Sequence, residues 1–168
     1  MKSRLLFFLT LFFISFQTIA QVDYVELVIP EALKNNPKAI AYLEKDVKQL
    51  NKLFNSIDGL ATEFEGLVDI MNKVDTNDKA SIEAVRPEVE AKLLGLSTKF
   101  ISVNFNLMWY IGKDAFADPA ATQGIIERMD SDEGRAFKKS MDHIQLKKGL
   151  LEARANDFMK KLESLEVK

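Results

Sequence analysis

Between Ile40 and Met71 the apolar residues Ile40, Leu43, Val47, Leu50, Phe54, Ile57, Ala61, Phe64, Val68 and Met71 succeed one another at alternating steps of three and four. A strand alternates its faces every two residues and cannot use this pattern; an α-helix packed lengthwise on other helices can. Leu53, Leu60, Leu67 and Val74 form a second row at intervals of seven. The apolar stripe is therefore wider than a two-stranded seam and suits a bundle of three or more helices. Asn36 and Pro37 have the chemistry of a helix cap and first helical residue. Gly59 and Gly66 fall outside both rows, on the side expected to meet water. Each costs about 1 kcal/mol of helix propensity relative to Ala. Because the phase of the repeat survives both glycines, the spacing predicts one helix over about 37–74.

The same rhythm returns twice. Ile82, Val85, Val89, Leu93, Leu96, Phe100, Val103, Leu107 and Tyr110 predict a helix over about 79–113, following the polar turn "DTNDKAS", with Pro87 near its start. Phe137, Met141, Ile144, Leu151, Ala155, Phe158, Leu162 and Leu165 predict another over about 132–166, opened by Ser131 and the acids Asp132 and Glu133. Lys148 takes one apolar slot of that row. Such a lysine either extends its head to water at the helix edge or pairs with an acid across the bundle. Asp118 and Pro119 predict a short helix over about 119–130. The fold class expected is all-α: an elongated antiparallel three-helix bundle with a short extra helix at the second connection. Residues 21–36, interrupted by Pro30, read as an N-terminal arm, and 37–168 as the bundle domain.

"MKSRLLFFLTLFFISFQTIAQ" opens the chain with Lys2 and Arg4, then an apolar run from Leu5 to Phe16, then small residues at Thr18 and Ala20. That order predicts a secretory leader, residues 1–20, cleaved after Ala20, and a periplasmic or extracellular location. A retained anchor is the competing reading, but a spanning helix needs roughly 20 apolar residues, more than this run supplies. Without the two basic leader residues the chain carries 21 basic and 25 acidic side chains. This mild acidity argues against nucleic acid as a partner. Residues 21–75 are net acidic and 131–168 net basic, which favours pairing of the first and last helices.

The missing residue types restrict the chemistry. There is no cysteine and one histidine, His143. A disulfide or thiolate metal site is impossible, and histidine-rich zinc or di-iron patterns have too few ligands. No glycine-rich phosphate loop occurs. His143 is phased away from the core row. The sequence thus predicts no enzyme, no catalytic residue, no metal and no cofactor.

The remaining feature is "FISVNFNLMWYIG", residues 100–112, which has no charged residue and is apolar nearly all round as a helix. It reads either as a helix buried on several sides or as an exposed patch for a partner. The candidate patch is Phe105, Met108, Trp109, Ile111 and Phe116. The function expected is that of an exported helical interaction or structural module that binds a protein partner or itself through this patch. A lipid-surface-binding helical protein is the alternative. A haem or small-ligand carrier, using His143 with Met71 or another Met, is a third.

Overall fold

The computed structural model describes residues 25–75, 77–113 and 119–166, with the side chains of 119–121 and 164–166 excepted. The expected leader, its cleavage point and Phe116 lie outside these residues. After an extended arm and a single 3-10 turn at Glu31–Leu33 come four helices: α1 (Pro37–Asn72), α2 (Lys79–Ile111), α3 (Pro119–Ile126) and α4 (Asp132–Glu166). The protein is an all-α bundle in which the three long helices pack on one another.

Local chemistry sets the helix ends. The Asn36 side chain accepts the Ala39 N–H at 3.0 Å, and Pro37 occupies the first turn, where its missing N–H costs nothing. Asp78 caps α2 by accepting from the Ala80 N–H at 3.0 Å. Ser131 accepts the Gly134 N–H at 3.0 Å and so opens α4. α1 runs unbroken through Gly59 and Gly66 and stops at Asn72, two residues before the expected end. α3 stops at Ile126 instead of 130. The Arg128 N–H turns back to the Ile125 carbonyl at 3.0 Å, and the Ser131 hydroxyl donates to the Arg128 carbonyl at 2.6 Å. These bonds spend residues 127–130 on the turn into α4.

Cross-helix contacts give the topology. Lys99 of α2 meets Glu63 of α1, and Tyr110 meets Asp46, so α2 runs antiparallel to α1. Tyr42 packs on Phe137, Asp58 pairs with Arg154, and Phe64 packs on Phe158, so α4 runs parallel to α1. The chain thus goes up, down and up, with α3 closing the end where α1 and α4 begin.

Burial follows the heptad rows. Every predicted core position of α4 from Phe137 to Leu162 is buried, as are Ile57 and Phe64 of α1. Phe64, Phe100 and Phe158 bring one ring from each long helix into a single layer, the Phe158 centroid standing 5.9 Å from that of Phe64 and 5.3 Å from that of Phe100. Aromatic pairs at this spacing contribute about 0.5–1.5 kcal/mol beyond the area they bury. Toward the start of α2 the row thins: Ile82, Val85 and Val89 are only half-buried.

The arm is fastened to α1. The Asn51 side-chain amide accepts the Val25 N–H and donates to the Val25 carbonyl, both at 3.0 Å. One side chain thereby satisfies both backbone groups of an extended residue, as a neighbouring strand would. Leu33, in the 3-10 turn, is fully buried where arm, α1 and α4 meet.

Candidate functional site

The helix α2 has two apolar faces. Leu96, Phe100, Leu107 and Tyr110 point into the bundle and are buried. Leu94, Ile101, Phe105, Met108 and Trp109 point the other way, each about two-thirds exposed or more. At 100° per residue the second row sits roughly 160° round the helix from the first. Leu94, Ile101 and Met108 are spaced by seven, with Thr98 and Phe105 between them. The outer row is therefore a second heptad seam with no helix against it among the described residues. From Leu94 to Trp109 it extends about 22 Å. Burying any one of these side chains would contribute about 1.5–3 kcal/mol. Five large apolar side chains along one line exceed the scattered exposure ordinary on a folded surface.

Of the patch residues read from sequence, Phe105, Met108 and Trp109 share this face. Ile111 does not; it is half-buried and packs on the core. It continues the Leu107 row by a step of four, which carries it round to the inside. Leu94 and Ile101 belong to the face but not to the candidate patch, which is confined to the densest aromatic stretch. The seven-residue spacing of Leu94, Ile101 and Met108 was the available signal.

Along α2 itself the face is bordered by little charge. Between Leu93 and Gly112 the one charged residue is Lys99, and its ammonium is held by both carboxylate oxygens of Glu63, at 2.7 and 2.8 Å. Ser97, Thr98, Ser102, Asn104 and Asn106 supply the remaining polarity.

A second cluster lies inside the bundle behind the end of α2. Asp46 of α1 and Lys148 of α4 are both buried, with Lys148 Nζ 3.7 Å from Asp46 Oδ2. Lys113, beyond the end of α2, approaches Asp46 Oδ1 at 3.7 Å and is part-exposed. The Lys148 ammonium also sits 4.4 Å from the centre of the Tyr110 ring, a cation–π contact. The Tyr110 hydroxyl donates to the Asp46 backbone carbonyl at 3.1 Å. Lys148 thus takes the second of its two expected arrangements and pairs across the bundle. Burial holds its pKa below the ordinary ammonium value, against the opposing pull of Asp46. Burial first, and the Asp46 charge second, push the Tyr110 phenol well above its usual range. Asp46, Lys148, Lys113 and Tyr110 thus gather side chains of α1, α4 and the end of α2 into one layer.

His143 is exposed on α4. Arg154 stands 96 positions after the Asp58 it pairs with, so His143 is level with Val47 of α1. Met71 lies 24 residues further along, roughly 36 Å away. These two side chains cannot share one iron. Among the described residues no group of three or more His, Cys, Asp or Glu side chains is placed to hold a metal ion. No helix among them is long and apolar enough to cross a membrane.

No family model, curated protein or solved structure matches the chain. The fold and this face define a three-helix bundle with an apolar seam left open among the described residues.

Proposed function

We propose that the protein is an exported helical interaction module whose working surface is the outer face of α2 and whose partner is another protein helix. The observation that carries this reading is the exposed row Leu94, Ile101, Phe105, Met108 and Trp109, set opposite the helix's own core row. A rigid rod with an apolar seam on its outside can act by packing against a second rod, which needs no reacting group.

The lack of charge around the row favours a protein over a lipid surface. Helices that lie on membranes combine an apolar face with lysines and arginines that reach lipid headgroups. Here Lys99 is already paired with Glu63, and the rest of the border is serine, threonine and asparagine.

Dye binding tests the reading. Dilute folded protein is expected to enhance the fluorescence of anilinonaphthalene sulfonate, and Phe105→Ser with Trp109→Ser is expected to remove the enhancement while helical circular dichroism is retained. A folded wild type that leaves the dye dark would count against an open apolar face. So would a double variant that loses its helicity.

A further inference from the structure

Resting on the interaction reading above, we infer that the occupant of the α2 outer face is a second copy of this chain, packed antiparallel through α2. Three observations select this partner. First, the face is self-compatible. A two-fold interface sets each patch against itself, so any net charge on it meets its own kind. The row from Leu94 to Trp109 presents no unpaired charge, whereas a face built for a different protein commonly uses charge to choose it.

Second, the size is sufficient. Leu94, Ile101, Phe105, Met108 and Trp109, at their observed exposure, offer on the order of 700 Å². A standard interface buries about 800 Å² on each partner, and homodimer interfaces are the more apolar kind. The serines and asparagines beside the row supply the polar rim.

Third, the row is graded along its length. Leu94 and Thr98, which carry no ring, occupy the end nearer the start of the helix; the rings of Phe105 and Trp109 occupy the other. An antiparallel crossing brings the bulky end of one copy against the slim end of the other, so large meets small on both sides of the two-fold axis near Ile101. A parallel crossing would stack the aromatic ends together and leave the slim ends under-filled. Heptad spacing of the row matches the knobs-and-holes geometry of such a crossing.

Sedimentation equilibrium and acrylamide quenching of Trp109, the single tryptophan, test the inference together on the purified chain. The variants are Ile101→Lys, at the predicted axis, and Leu146→Lys, on the exposed side of α4. The expected result is twice the single-chain mass for wild type and Leu146→Lys, with Trp109 shielded severalfold. Ile101→Lys should have the single-chain mass, unchanged helicity and a freely quenched Trp109. A wild type that stays single at high micromolar concentration with Trp109 freely quenched would overturn self-association and leave the face open to a different protein. A single wild type with Trp109 shielded would overturn the interaction reading as well. Dimers that survive Ile101→Lys would place the contact elsewhere and defeat the inference.

Discussion

Lys148 Nζ and Asp46 Oδ2 stand 3.7 Å apart in the middle of the bundle, both residues almost sealed from water. Removing Asp46 leaves the buried Lys148 charge uncompensated, whereas replacing both with apolar groups removes the desolvation cost along with the attraction. Asp46→Ala should therefore lose about 3 kcal/mol of unfolding free energy. The double change Asp46→Leu with Lys148→Met should lose far less than the two single changes combined. Urea unfolding of the four proteins of the cycle measures this; additive losses would show that the two side chains do not interact.

The same layer sets the response to alkali. Lys148 has a lowered pKa in the folded state, so below its ordinary 10.5 the unfolded chain binds the proton more readily. Stability should rise with pH as this difference is relieved, up to that value. Tyr110 has a raised pKa, so above its ordinary 10.0 the unfolded chain gives up a proton that the folded chain keeps. Its contribution is complete below that pH and lost as pH climbs beyond it. Urea midpoints from neutral pH to pH 11 should show the rise flattened in Lys148→Met and the fall flattened in Tyr110→Phe. Identical profiles for all three proteins would contradict the burial of both groups.

Two kinds of glycine separate exposed helix from tight turn. A methyl group added at Gly59 or Gly66 would meet nothing within 4 Å, so Gly59→Ala and Gly66→Ala should each stabilise α1 by about 1 kcal/mol. At Gly134 the same methyl would strike the Arg128 carbonyl and lie 2.6 Å from Met129 Cα, so Gly134→Ala should cost about 2 kcal/mol. Melting curves of the three variants report the signs. A loss at Gly59 or Gly66 would mean that a surface covers that side of α1.

Periodicity made most of the bundle legible in the sequence. The α4 row was readable because every described core position obeys a step of three or four, and a seven-residue repeat has one way to face a neighbour. Asn36 and Ser131 announced helix starts through side chains that accept backbone N–H groups. What stayed hidden depends on relations between distant positions. Lys148 stood out as a charge in an apolar slot, but Asp46 lies at the margin of the α1 stripe and looks like any surface acid until the helices are brought together. The outer row of α2 was half visible. Phe105, Met108 and Trp109 were conspicuous, but Leu94 and Ile101 were masked because apolar residues on two opposite sides leave no single direction to the pattern. Ile111 lies next to the patch in sequence and away from it in space, since a step of four from Leu107 returns to the core.

Urea unfolding of the Phe105→Ser, Trp109→Ser double variant at submicromolar concentration tests the central claim most directly, because dilution removes any partner's contribution. If these rings belong to an outer face held ready for another helix, the single chain should lose no more than about 0.5 kcal/mol per substitution. Losses of about 3–5 kcal/mol for each ring would mark them as buried core and contradict the account.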